Sequence, residues 1–287
     1  MMKLSMDSFT LSRRYGDVKM IELLAEAGFD AVDLSIYRLE HAKDTFYSEN
    51  YIPYLNTLKR AMEVNHIECN QAHAEFSFQK SDTMELANPH FFQIVRGMEC
   101  AAYLGAKQIV VHGIGSEADP DFLEYNHAFY KSLEPYCKRY NIRAAVENLF
   151  EYDGKRKCYC NKLSSPALLN RLLDRLGSQW FTVCADLGHA YVTGTAPEDF
   201  IRCFHSDRLC ALHVQDTDDS GDCHTLPYLR SLNWDNITQA LADIGYQGDF
   251  SMEILYYAES FCDELIPDAL KFAAQVGRHL ISRIERS

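Results

Sequence analysis

Four short apolar runs in the second half of the chain each end in a side chain that can bind a metal: Ala145-Val146-Glu147, Val183-Cys184-Ala185-Asp186, Ala211-Leu212-His213 and Ser251-Met252-Glu253. They lie roughly 30 to 40 residues apart, room for one strand and one helix each. The strands of a parallel barrel all end on the same face. The spacing therefore predicts three carboxylates and one imidazole around a single divalent cation. This hard, oxygen-rich set suits Mn²⁺, Mg²⁺ or Co²⁺, and each added histidine shifts the preference toward Zn²⁺. Such a cation polarises a carbonyl or hydroxyl, while Glu147 or Glu253 can move a proton on or off the neighbouring carbon.

More donors fall at strand ends. His73 and His112 close apolar runs, His189 stands three residues after Asp186, and Asp222-Cys223-His224 offers a carboxylate and an imidazole on a loop. Each has a plainer alternative: a lone buried histidine such as His112 is about as often a hydrogen-bonded core residue, and a loop Asp or His is ordinarily solvated. Asp33 reads as a local cap or pair, and His41, His66, His90, His127 and His205 as surface residues. Aromatic residues make up 12% of the chain and mostly suit packing, but Phe9, Phe76, Phe78 and Phe150 follow strand ends, where they would shape a pocket against a sugar ring.

The elements that must carry these groups are marked by a repeated junction, in which an amphipathic segment ends at Gly or Asn and a β-rich run follows. Gly28, Asn65, Gly105, Asn141, Gly177 and Gly245 are those stops. The rule gives strands near 3–8, 31–35, 67–73, 108–112, 142–147, 181–186, 209–214 and 249–254. Helices are expected near 17–27, 50–64, 89–103, 121–139, 165–176, 197–204, 234–244 and 263–284. Eight alternations without a Gly-rich phosphate fingerprint after the first strand predict an α/β fold, a (β/α)8 TIM barrel forming one domain over 1–287. The irregular stretches near 37–49, 75–88, 150–163 and 214–233 all follow strand C-termini, the place for binding loops.

Composition narrows the function classes. The formal charge of −13 and the lack of a basic patch argue against a nucleic-acid partner, and no apolar run is long enough for a membrane span. The N-terminus lacks a signal peptide's apolar core, so the protein is expected to be cytoplasmic, with its ten cysteines as reduced thiols. Cys158-Tyr159-Cys160, flanked by Lys155-Arg156-Lys157, lacks the further ligands of a zinc knuckle and reads as an exposed loop.

Taken together, Gln71-Ala72-His73-Ala74, Val110-Val111-His112-Gly113, Val146-Glu147-Asn148, Ala185-Asp186-Leu187-Gly188-His189-Ala190, His213-Val214-Gln215-Asp216, Asp222-Cys223-His224 and Ser251-Met252-Glu253-Ile254 resemble the xylose isomerase-like barrels. That superfamily holds sugar isomerases, ketose epimerases, inosose-processing enzymes and endonuclease IV. The resemblance implies that Glu147, Asp186, His213 and Glu253 bind one metal, that Glu147 and Glu253 act as acid and base, and that His189 helps hold the substrate. By likeness to endonuclease IV, His73, His112, His189, Asp222 and His224 would complete a three-zinc cluster. Two departures stand out. Asp216-Thr217-Asp218-Asp219 lacks the arginine of ketose 3-epimerases, and Leu226-Pro227-Tyr228-Leu229-Arg230-Ser231-Leu232 replaces a Pro-Gly-x-Gly turn, implying a different lid in which Arg230 could meet an anionic substrate. The expectation is a metal-dependent isomerase or epimerase of a sugar, sugar phosphate or keto-polyol. The alternatives are a lyase or dehydratase on a keto-inositol or 3-oxo-glycoside, and a zinc phosphodiesterase. Barrels of this type often pair, so a homo-oligomer is also expected.

Overall fold

The computed structural model describes residues 1–37, 46–153 and 158–286, the backbone alone at 159–161. Eight strands form a parallel ring in the order β12-β1-β2-β3-β4-β5-β8-β9. Their ranges are β1 Leu4–Asp7, β2 Ala31–Ser35, β3 Glu68–His73, β4 Gln108–Val111, β5 Arg143–Glu147, β8 Phe181–Asp186, β9 Leu209–His213 and β12 Phe250–Met252. The ring closes at Val214, whose N–H donates to Ser251 O at 2.8 Å while Glu253 N–H donates to Val214 O at 3.0 Å. This is the expected (β/α)8 barrel, with each strand within a residue or two of its predicted position.

The outer helices are α2 Asp17–Ala27, α3 Tyr51–Asn65, α4 Pro89–Leu104, α5 Phe122–Tyr140, α6 Pro166–Leu176, α8 Pro197–Arg202, α9 Trp234–Asp243 and α10 Ile266–Ile284. Their apolar residues recur at helical spacing: Leu169, Leu172, Leu173 and Leu176 are the buried face of α6. Asn88 and Ser165 cap α4 and α6 with side-chain oxygens, and a proline opens each first turn. The helices pack on the outside of the ring, so the larger core lies between strands and helices, while Val110, Ala145, Cys184 and Ala211 form a separate small cluster. Gly277 lets α10 lie flat on the sheet, since a Cβ there would come within 2.4 Å of Leu4 Cδ1. Leucine at 4 thus depends on glycine at 277.

Four elements depart from expectation, and all lie at the ring's C-terminal mouth. Helix α1, Phe9–Tyr15, fills the first strand–helix connection, and α7, Leu187–Val192, springs directly from β8. Two antiparallel hairpins, β6 Leu149–Tyr152 with β7 Cys158–Lys162 and β10 Asp216–Asp218 with β11 Gly221–Thr225, occupy stretches expected to be irregular. Their sequences are short and lack steady alternation, so no local signal marks them. One helix stop also differs: His66, not Asn65, takes the left-handed conformation, at φ 53°. His41, Lys155-Arg156-Lys157 and the side chain of Cys160 lie outside the described residues. Among those described, no helix is long and apolar enough to cross a membrane.

Candidate metal centre

Each member of the expected quartet stands at or next to the last residue of a strand: Glu147 on β5, Asp186 on β8, His213 on β9, and Glu253 just beyond β12. Asp186 and His213 are register partners, so adjacent strands present them side by side. One ligand atom from each of the four lies within 4.8 Å of all the others, and all four residues are buried. His213 Nδ1 is 2.7 Å from Glu147 Oε1 and 3.4 Å from Glu253 Oε2. Glu147 Oε2 is buried, and its near neighbours include the ring nitrogens of His112 at 2.9 Å and His73 at 3.5 Å. A buried carboxylate oxygen is costly to leave unpaired, so three carboxylates converging here call for a shared cation. The donor set fits a divalent metal.

The outer histidines are arranged around this quartet. His73 Nε2 and His112 Nε2 face each other at 3.0 Å, and the latter is 2.9 Å from Glu147 Oε2. On the other side, Asp222 Oδ2 lies 2.7 Å from His224 Nε2 and 3.6 Å from His189 Nε2. His73, His112 and Glu147 form one compact donor group, and His189, Asp222 and His224 another. Three of these rings share a device. The Nδ1 atoms of His73, His189 and His224 lie 2.9, 2.9 and 3.0 Å from the carbonyls of Ala74, Asn148 and Glu253. A carbonyl can only accept, so Nδ1 carries the proton and in the neutral ring Nε2 points its lone pair into the mouth, as a metal ligand requires.

Charge follows from the crowding. Burial alone would raise Glu147, but the imidazoles of His213, His112 and His73 overcome it and hold that carboxyl well below the usual carboxylate range. Burial instead dominates at Glu253, reinforced by Glu147 and Asp186 against His213 and His224, and pushes it well above. His224 rises against its burial to about 10 because Asp222 and Glu253 face it. His112, by contrast, is lowered by burial to about 4.

Two supporting residues, Gln215 and Asn148, were not assigned roles from the sequence, and a third, Asp33, was read differently. Gln215 Nε2 donates to Asp222 Oδ1 at 2.7 Å and lies 3.2 Å from Asp186 Oδ1, and its Oε1 accepts from His224 N at 2.8 Å. It fits only because residue 188 is glycine: a Cβ would sit 2.5 Å from Gln215 Cδ. Asn148 bonds the Asp186 backbone in both directions. Asp33 is not the local cap expected; it faces the ring interior, where its Oδ2 accepts from Gln71 Nε2 at 2.6 Å and Ser251 Oγ at 2.7 Å, 3.6 Å from His213 Nε2. Inward alternation along β2 was the available signal. Arg230 does not join the group. Its half-exposed guanidinium pairs with Asp218 at 3.4 Å on the second hairpin.

A cavity of about 430 Å³ opens above the quartet, lined by Glu147 and Glu253 and by Phe9, Tyr37, Phe76, Phe150 and Tyr256. Phe9 stacks on Tyr37 and Phe76 on His112, making an aromatic wall. Phe78, expected there too, is buried against Phe91 and Phe129 and lines an adjoining hollow in place of this cavity.

The sequence matches the family described as Xylose isomerase-like TIM barrel over residues 21–276. The chain belongs to that family. Uncharacterized protein y4fM of Sinorhizobium fredii is 29% identical over 54% of this chain and 50% of its own length. Uncharacterized protein MJ1311 of Methanocaldococcus jannaschii is 25% identical over 81% of the chain and 77% of its own length. Among solved structures, the barrel is similar to a D-tagatose 3-epimerase-like protein, with TM-score 0.75, 19% identity and 99% of both chains covered. It is also similar to 3-keto-D-glucoside 4-epimerase from E. coli, with TM-score 0.68 and 16% identity over 96% of this chain and 100% of that one. At such identities the likeness establishes the fold.

Proposed function

We propose that the protein is a divalent-metal-dependent carbohydrate isomerase or epimerase that moves a proton on carbon next to a carbonyl. The observation that carries this reading is the convergence of Glu147, Asp186, His213 and Glu253 within one ion's reach, beneath a cavity walled by aromatic rings. A divalent ion held by that quartet would supply charge stabilisation for a developing enediolate. Glu147 and Glu253, both lining the cavity beside the ion's place, are the two groups that take the proton from carbon and return it. They approach from β5 and from beyond β12, three strands apart around the ring, so they address opposite faces of the reacting carbon. His189, at the cavity wall beside Phe150, holds a substrate hydroxyl.

The test is proton exchange in deuterated solvent. With the metal-loaded protein, NMR is expected to show deuterium entering a keto-sugar beside its carbonyl, with every oxygen substituent retained. Loss of a hydroxyl or aglycone would replace this reading with the lyase. Absence of exchange across free, phosphorylated and glycosidic ketoses would overturn both.

The two further donor groups favour a second reading, a polynuclear zinc phosphodiesterase. The net charge of −13 weighs against a polyanionic partner. Three zinc ions per chain together with nicking of abasic DNA would establish it; a single ion without DNA binding would dismiss it. The carbohydrate partner, the identity of the metal and a paired assembly belong to this proposal.

A further inference from the structure

The cavity over the quartet does not end at its aromatic wall. A second hollow of about 490 Å³ shares Phe76, His112, Leu149 and Lys162 with it, so the two are contiguous along the side of β3, β4 and the first hairpin. Its far end is bounded by Gln79, Lys80, Ser116, Asp119 and Glu151. The charges there are internally matched. Lys162 pairs with Glu151, and Lys80 reaches Asp121 at 2.5 Å and Asp119 at 3.4 Å. Among the described residues lining this hollow there is no arginine, and neither lysine is uncommitted. An anion subsite needs concentrated positive charge and bidentate donors. Donors and acceptors of both signs beside an aromatic ring match instead a ring of hydroxyls, each able to donate and accept.

We infer that the second hollow is a binding subsite for an uncharged sugar unit, so that the substrate is a neutral glycoside of disaccharide size and not a free monosaccharide or a sugar phosphate. This rests on the proton-transfer reading for the site above the quartet, and it adds where the remainder of the substrate lies. Each cavity falls within the roughly 300–1,000 Å³ of small-molecule pockets. The reacting ring occupies the first, and the glycosidic oxygen passes Phe76 and His112 into the second.

The experiment titrates the metal-loaded protein with methyl α-D-glucoside, glucose 6-phosphate and three glucose disaccharides of different linkage, followed by calorimetry or ligand-observed NMR. At least one disaccharide is expected to bind tenfold or more tighter than methyl glucoside, and glucose 6-phosphate no tighter than methyl glucoside. Gln79→Trp, which fills the far end from an exposed position, and Lys80→Ala should each draw the disaccharide-to-monosaccharide ratio toward one. Equal affinity for mono- and disaccharides, a preference for the phosphate, or no binding by any sugar overturns the inference. The proton-transfer reading is scored separately by deuterium exchange, so exchange with equal affinities would sink the subsite alone, and a disaccharide preference without exchange would sink the chemistry alone.

Discussion

The quartet at the ends of the barrel strands and the group of His189, Asp222 and His224 stand side by side but are built differently. Glu147 and Asp186 end strands fixed on both sides by parallel ladders, His213 ends one held by a ladder to β8 and by the Val214 bridge to β12, and Glu253 follows β12 directly. Asp222 and His224 sit on β11 of a two-stranded hairpin, where Gln215 and the Glu253 carbonyl hold them. The first arrangement is rigid because every ligand inherits the barrel's geometry. The second depends on a few hydrogen bonds.

That contrast can be broken most directly at the quartet. Glu147→Gln or Glu253→Gln should lower proton-exchange turnover by about 10²–10⁴-fold, while His224→Gln should leave an ion in the quartet by elemental analysis. A variant at 224 that emptied the protein of metal would erase the distinction. The next effect is on stability. A metal at a hundred times its dissociation constant should raise unfolding free energy by about 2.7 kcal/mol, seen as a shift of the denaturation midpoint between chelator and manganese. Glu147→Gln should abolish that shift. Gln215→Leu tests the bridge between the regions: a side chain that holds a ligand carboxylate in place, as Gln215 holds Asp186 and Asp222, typically carries about 10–100-fold in metal affinity, and unchanged affinity would reduce Gln215 to packing. Arg230→Ala should cost less than about 1 kcal/mol, as expected for an exposed pair, without altering turnover.

The smallest effect serves as a surface reference. Lys131, then Lys138 and Ser178, hold the carboxyl of Glu134 down to about 2. Its folded-state pKa is therefore below its unfolded one, and the stability it contributes is present above the unfolded value and lost as pH falls toward about 2. Glu134→Gln should flatten the acid limb of a urea-midpoint titration and leave metal uptake unchanged. An identical acid limb would show that the lysines contribute nothing measurable.

The ring and the quartet were legible because one local signal carried both: a short apolar run must be a buried strand, and a donor that ends it must face the common mouth. Gly28, Gly105 and Gly177, all in the left-handed conformation, then fixed the helix ends. The hairpins and α1 were hidden because they are too short, and too irregular in their apolar spacing, to show a helix or strand period of their own. Asp33 was misjudged for a related reason. Its partners Gln71, Ser251 and His213 come from three other strands, so its inward role exists only once the barrel has closed. Arg230 lay on the right loop, but its pairing with Asp218 across the second hairpin turns it to the surface.

Val214 joins the seventh and eighth strands of the ring, and it stands between His213 and the backbone that carries Glu253. On its other side the strand before Glu253 pairs with β1, where Phe250 N–H donates to Lys3 O, among the most sequence-distant contacts the chain makes. An ion offered to a partly folded chain would meet donors still far apart and could not guide their assembly. Chelation would then come after folding, and uptake of the cation would report that the polypeptide had completed its circle.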